Sequence, residues 1–451
     1  MPLLLPVNIN QFMKTLFLLL FLSLLLSVPQ MTAQTGKTWT LQECIEYALN
    51  QNIQVRKSDL TNQSYQYYAA QAKAQRFPSV NAGITQSFSW SKDPTDESSG
   101  YSGANGTNYQ VNSSVNLFNA NRTNNQIKQA KLDIAGGQYS LETTRESISL
   151  SILDAFLQVL YAEEQVKNSE KQMESTTSQL NLASERLNLQ VISQSDYAQV
   201  KSQLASEKLN LANAQSQLAI AKVNLEQLME LPVSDTFNIQ HPNLEAALSL
   251  VKTPVVGTVF DTALAIKPQI KYAAVNKQIA ALDEKIAKAG YFPSLSANAG
   301  ISSNYSGITN SAYFNQLNNG ILPSVSFSLS IPIYQKKQVK TNVAIAKIGY
   351  QNAELSELDT KNQLRKSIEQ ACQDVISART KYEANQENYS ATQEAAALSD
   401  EKFKQGIINS VDYLVSKTNL IVAESQLLQA KYNLIFSYKI LDFYTGIPLS
   451  L

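Results

Sequence analysis

Apolar positions in this chain change their spacing several times, and each change marks an element. Residues Leu41 to Gln75 and Val259 to Ala289 have helical composition, and they run into Phe77-Pro78-Ser79 and Phe292-Pro293-Ser294. Proline pushes the residue before it into extended backbone, so each helix ends there and a strand begins. The period then drops to two. Val80, Ala82, Ile84, Phe88 and Trp90 alternate with Asn81, Gly83, Thr85, Ser87 and Ser89, with polar Gln86 as the exception; Tyr109, Val111, Val115 and Leu117 alternate with Asn and Gln. The same holds for Leu295, Ala297, Ala299 and Ile301, and for Val325, Phe327, Leu329 and Ile331, all set among small polar residues. Two β-hairpins follow, over residues 79–118 and 294–333, with one apolar and one polar face.

Beyond each hairpin lies a proline-free stretch of helical composition, Arg122 to about Leu189 and Lys337 to about Lys404. Either would be roughly 100 Å long at about 1.5 Å per residue. Gly136-Gly137 costs the first about 2 kcal/mol relative to Ala-Ala and predicts a local kink. Short turns, Val191 to Ser195 and Ile407 to Val411, lead to Asp196 and Asp412 as helix amino-caps. The return helices carry the heptads Tyr197, Leu204, Leu211, Leu218, Leu225 and Tyr413, Leu420, Leu427, Leu434, Leu441. Small residues at the alternate seam positions, such as Ala214 and Ala430, let antiparallel helices pack closely.

These elements come twice. A shift of 216 residues lays Phe118–Pro232 over Tyr334–Pro448 without a gap, and a shift of 215 lays Phe77-Pro78-Ser79 over Phe292-Pro293-Ser294. The pattern divides the chain into a first repeat over 34–235, a linker over 236–258 and a second repeat over 259–451.

Strands of about ten residues with aromatic ends and an apolar face match those of outer-membrane barrels. A soluble sandwich would show the same alternation, but four strands scattered among very long helices make a poor one. Four strands also cannot close a barrel in lipid, so the chain must assemble with copies of itself. Three copies give twelve strands, and this count alone leaves two or four open. Lys14 and the apolar run Leu16 to Val28 read as a signal peptide over 1–33, the run being shorter than the roughly 20 residues of a spanning helix.

Composition narrows the chemistry. With Lys+Arg and Asp+Glu equal at 37, no charge excess points to nucleic acid. His241 is the sole histidine, so no histidine triad or metal cluster can be built. Gly36-Lys37-Thr38 resembles the end of a phosphate loop, but Met31 stands where its first glycine belongs. The reading is no enzyme, no catalytic residue, no cofactor and no metal. Cys44 and Cys372 occupy unrelated repeat positions and leave a disulfide open.

The stretch Ala48-Leu49-Asn50-Gln51-Asn52-Ile53-Gln54-Val55-Arg56, the two Phe-Pro-Ser switches, Arg186-Leu187 ahead of Asp196, and Phe403-Lys404-Gln405-Gly406 ahead of Val411-Asp412 together resemble the TolC-like outer-membrane efflux proteins. The resemblance covers about residues 40 to 448. It implies a mixed α and β membrane protein: a long α-helical coiled-coil barrel across the periplasm, plus a transmembrane β-barrel built from four strands per chain in a homotrimer. It also implies a periplasmic adaptor, an inner-membrane pump and outer-membrane lipid as partners. The hairpin tips would dock the adaptor through Gln190, Val191, Ile192, Gly406, Ile407 and Ile408. Asp412 matches the first of two aspartates that ring the family's entrance, and Val415 replaces the second. Where well-known members place a tyrosine and an arginine that tether an acidic residue, this chain has Phe403 and Ile408, while Asp196 keeps the acidic position. The expectation is an apolar constriction of Phe403, Ile407 and Ile408 with a ring of Asp412. The competing reading is a structural coiled-coil protein of the cell envelope.

Overall fold

The computed structural model describes residues 38–92, 95, 101–232, 237–242 and 255–451. The segment read as a signal peptide lies outside them, as do part of the first hairpin loop and much of the linker. Strand β1 (Thr38–Trp39) leads to helix α1 (Leu41–Gln51), which Thr40 and Glu43 open with a capping box. Glu43 N donates to Thr40 Oγ1 at 3.2 Å, and the Glu43 carboxylate accepts from Thr40 N at 2.9 Å, so two otherwise orphaned donors are satisfied.

The single helix expected from 41 to 75 is two. Asn52 leaves helical geometry, accepts from Gln54 N at 2.9 Å and so caps α2 (Ile53–Ala74). Its Nδ2 donates to Leu228 O at 2.9 Å, which ties the break to a distant helix end. In the second half the break falls at Lys267-Pro268, between α5 (Val256–Ile266) and α6 (Pro268–Lys288). Proline has no N–H to continue the ladder and fits only a first turn.

Strands β2 (Ser79–Ser91) and β3 (Ser102–Phe118) from the first half join β5 (Ser294–Ser306) and β6 (Leu322–Ser330) from the second in one antiparallel sheet, ordered β2-β3-β5-β6. β4 (Asn238–Ile239) pairs instead with β1, in parallel. In the large sheet Ala82, Val111, Ile301 and Pro323 stand opposite one another across all the strands, and one residue on Asn81, Asn112, Gly300 and Ser324 form a polar row. The apolar face is bare: Val80, Ile84, Trp90, Val325 and Phe327 are each between 68% and 74% exposed. Gln86, the polar exception on that face, accepts from the Thr107 hydroxyl at 2.5 Å, so the two satisfy each other. The second hairpin loop holds a short helix, α7 (Tyr313–Asn319), tied to the sheet by Ser303 Oγ donating to Leu317 O at 2.6 Å and by the Tyr109 and Tyr313 hydroxyls 2.6 Å apart.

Two long hairpins complete the fold: α3 (Arg122–Asn188) with α4 (Gln194–Met229), and α8 (Gln338–Lys404) with α9 (Ser410–Thr445). Each outgoing helix has 67 residues and each return helix 36. Gly136-Gly137 does not interrupt α3. A Cβ on Gly137 would meet Asn62 Oδ1 at 2.6 Å and the Tyr65 ring at 2.8 Å, so this glycine lets α2 approach, whereas Gly136 has room for a methyl against α6. The main core lies midway along α3, where Leu41, Ala48, Ile152, Phe156, Leu160, Leu225, Met229 and Ile435 pack together. A second gathers Val259, Ala263, Ile368, Val375 and Leu441. Above and below these cores the helices meet along narrow stripes only. Cys44 and Cys372 are both buried and are not joined, so the disulfide left open by the sequence is not formed.

Candidate functional site

The turns of the two long hairpins lie side by side and are built alike. At the first, Gln190 takes a left-handed conformation (φ 60), Gln190 N donates to Leu187 O and Val191 N to Arg186 O, both at 2.9 Å. At the second, Gly406 (φ 73) donates to Phe403 O at 3.1 Å and Ile407 N to Lys402 O at 2.9 Å. Both are Schellman endings, which satisfy the last carbonyls of the outgoing helix.

The amino-caps differ from those expected. Ser193 and Asn409 hold the cap positions, and Asp196 and Asp412 sit three residues in. Asp196 completes a capping box: its Oδ2 accepts from Ser193 Oγ at 2.7 Å and from Ser193 N at 3.2 Å. Asp412 only donates its N–H to Asn409 Oδ1 at 2.9 Å, and its side chain is exposed.

Asp196 uses its other oxygen across the hairpins. Ser410 Oγ, almost fully buried, lies 2.7 Å from Asp196 Oδ1 and 2.5 Å from the Gln199 side-chain amide. One hydroxyl has one proton, and of its two acceptors, Asp196 Oδ1 and Gln199 Oε1, the charged carboxylate is the stronger. The Ser193 hydroxyl first, and the Ser410 hydroxyl second, hold the Asp196 carboxyl below the ordinary carboxylate range. A further bond joins the hairpins where Arg186 Nη2 donates to Lys404 O at 2.8 Å.

Between the tips is a cleft of about 390 Å³, whose lining includes Arg186, Asp196, Val200, Phe403, Ile408 and Ser410. Phe403 faces inward and stacks on Tyr413, with ring centroids 4.6 Å apart. The Tyr413 hydroxyl accepts from Gln179 Nε2, and burial, reinforced by Asp400, pushes its pKa up. One turn further, buried Lys417 donates to Thr176 Oγ1 at 2.7 Å and to Gln179 Oε1 at 3.3 Å. Burial draws the Lys417 ammonium down against the opposing pull of Glu207 and Asp400.

Of the residues expected at a gate, Asp196, Phe403 and Ile408 line this cleft, while Ile407 is 65% exposed outside it and Asp412 stands apart. Of those expected at an adaptor contact, Val191, Ile192, Gly406 and Ile408 border the cleft, and Gln190 and Ile407 face out. Ser410 and Lys417 escaped the sequence reading, and Tyr413 entered it only as the first position of a heptad seam. Lys417 stands next to a heptad seam, at a position normally assigned to solvent, and only the neighbouring hairpin buries it. Among the described residues, no group of His, Cys, Asp and Glu could hold a metal, and no helix is long and apolar enough to cross a membrane.

Solved structures share this arrangement. The CmeC outer membrane channel of Campylobacter jejuni superposes with a TM-score of 0.72 at 16% identity, over 90% of this chain and 86% of that one. The open state of the MtrE outer membrane channel of Neisseria gonorrhoeae gives 0.74 at 18%, over 90% and 88%. In sequence the chain is 22% identical to toxin and drug export protein A of Aggregatibacter actinomycetemcomitans over 65% of its length, a match that spans 63% of that relative. The family profile described as Outer membrane efflux protein matches residues 44–230 and 259–446. The chain belongs to the outer membrane efflux protein family.

Proposed function

We propose that the chain is the outer-membrane channel of a tripartite efflux or type I secretion system, a passive duct and not an enzyme. The observation that carries this reading is the four-stranded sheet with a bare apolar face and two unpaired edges, set at the end of helices about 100 Å long. Unpaired edges in lipid are untenable, so the sheet closes only with copies of itself. Three copies make a twelve-stranded barrel above a twelve-helix tunnel, with the tips in the periplasm. The export role named for the Aggregatibacter relative supports the direction of transport. A periplasmic adaptor docks on Gln190, Val191, Ile192, Gly406, Ile407 and Ile408, and an inner-membrane pump supplies the energy.

The gate in this reading is the pair of tips. The Asp196 to Ser410 bond holds the two hairpins of one protomer together, Phe403 and Ile408 fill the space between them, and the exposed Ile407 and Asp412 face neighbouring protomers around the entrance. Sedimentation with the outer membrane as a heat-sensitive oligomer, and conductance in a planar bilayer, test the channel; a soluble periplasmic monomer would refute it. For the Asp412 ring the measurement is cation preference. Asp412→Ala is expected to lower it, and unchanged preference together with unchanged blocker sensitivity removes Asp412 from the entrance.

A further inference from the structure

Charge is balanced over the whole chain but not along it. The four places where strands meet helices, residues 73–79, 118–133, 283–294 and 330–347, hold eleven Lys and Arg and three carboxylates, Asp133, Asp283 and Glu284. The hairpin tips at the far end, residues 178–200 and 395–415, hold five carboxylates and three Lys and Arg. The cations therefore collect at one level of the molecule.

Folding concentrates them further. The end of α2, the start of α3 and the end of α6 enclose a cleft of about 580 Å³ lined by Arg76, Lys128, Lys131, Lys285 and Lys288. Lys288 is paired with Glu284 at 2.7 Å. Among the described residues, no carboxylate lies within ion-pair distance of the other four, and Arg76 Nη2 is anchored on a neutral partner, Asn124 Oδ1, at 2.7 Å. The nearby carboxylate of Asp283 accepts instead from Gln129 Nε2 at 3.0 Å. The first turn of α3 also borders the cleft, entered through left-handed Ala120 and Asn121; the Asn121 side chain makes no cap bond, and Asn119 Oδ1 accepts from Thr123 N at 3.4 Å. Uncompensated cations gathered around one cavity repel each other and attract a multivalent anion. A phosphate group offers both the charge and several acceptor oxygens.

The level of the cleft identifies the source. Phe292 lines it, and Phe77 and Phe118 stand exposed where the strands end, at the height where aromatic rings meet a bilayer surface. We propose that this cleft binds the phosphate of an anionic phospholipid in the leaflet on the helical side of the barrel, one in each protomer. The assignment rests on the channel reading above. The same phosphate chemistry could be presented by a solute passing through the tunnel, and the test separates the two.

Detergent-purified oligomer is exposed to equal amounts of phosphatidylglycerol and phosphatidylcholine, and retained lipid is counted by native mass spectrometry. Each lysine at an anionic surface contributes roughly fivefold, so a preference of about tenfold or more for phosphatidylglycerol is expected. The triple variant Lys128→Gln, Lys131→Gln, Lys285→Gln loses it; a control with the same charge change on distant helix faces, Lys57→Gln, Lys171→Gln, Lys381→Gln, keeps it. Equal loss in the control, or none in the triple variant, overturns the site. In a second arm, tripolyphosphate binding that the triple variant abolishes, without lipid preference in the unaltered protein, assigns the cleft to a solute. Binding of neither probe overturns the phosphate site altogether. The unaltered protein is first checked for outer-membrane sedimentation as a heat-sensitive oligomer. Failure there refutes the channel, whereas passing that check and then binding neither probe refutes only this inference.

Discussion

Replacing Ser410 by alanine takes one donor from the Asp196 carboxylate and leaves both bonds to Ser193 in place. A hydrogen bond to a charged group contributes about 1.5–3 kcal/mol. Asp196 is only half-buried and water can occupy the vacated side, so about 1 kcal/mol per protomer is the expected loss. If three protomers open together, the losses sum to about 3 kcal/mol, roughly a hundredfold in the closed-to-open equilibrium. Single-channel recording at neutral pH reads this as open probability. Ser410→Ala and Asp196→Ala should both raise it, the second by more because it also breaks the capping box, which contributes about 1 kcal/mol. The double variant should match Asp196→Ala, since both changes remove the same bond. A silent Ser410→Ala, or a double variant that adds the full Ser410 effect to that of Asp196, would refute the latch.

The pH dependence of the same latch follows from its sign. The folded Asp196 carboxyl lies below its ordinary value, so its contribution is present above about pH 4 and is lost as pH falls through the folded value. Open probability should stay flat from about pH 7 to 5 and rise only below about 4; a rise already at pH 6 would point to another group. The adjacent glycines of α3 should respond with opposite signs in thermal melts. Gly136→Ala places its Cβ 3.6 Å from the Tyr272 ring and gains up to about 1 kcal/mol of helix propensity, whereas Gly137→Ala collides with Asn62 and Tyr65 and costs about 1–3 kcal/mol. Cys44 and Cys372 should resist alkylation in the folded protein and react together after denaturation, read by mass; rapid labelling of the native protein would contradict their burial.

What the sequence made legible was what repeats locally. Proline-free composition placed the long helices within one residue of their observed ends, and period-two alternation found all four strands of the large sheet. What it hid depends on partners far along the chain. Asn52 is a cap-type residue, but one asparagine is a weak local signal, and its side chain also donates to Leu228 O, 176 residues away. Seven residues are too few for α7 to show a helical period, and its stability comes from Tyr109 and Ser303 on the sheet. Composition read Gly136-Gly137 as a weak point in one helix, because propensity carries no information about the second helix that needs the space. At the tips, resemblance pointed to Asp196, Phe403 and Ile408, but Ser410 acts only through a carboxylate 214 residues distant.

The departures between equivalent positions are where the two halves divide their tasks. Asn52 and Lys267, 215 residues apart, are both buried at helix breaks, and both engage the end of a return helix. Asn52 does so through a neutral bond to Leu228 O at 2.9 Å, and Lys267 through an ammonium 3.1 Å from Glu146 and 3.1 Å from the Phe443 ring centroid. Removing a neutral partner strands one amide; removing Glu146 strands a buried charge, which costs far more. The second junction is therefore the more sensitive to loss of its partner. The tips differ in the same manner. Asp196 is spent inside the protomer on Ser193 and Ser410, while its counterpart Asp412 keeps an exposed carboxylate with no partner among the described residues. In the proposed ring of identical chains, one contact would close each protomer and another would face the next. The spacing of 216 residues supplies an aspartate for each, and the bonds from Ser193 and Ser410 assign Asp196 to the first.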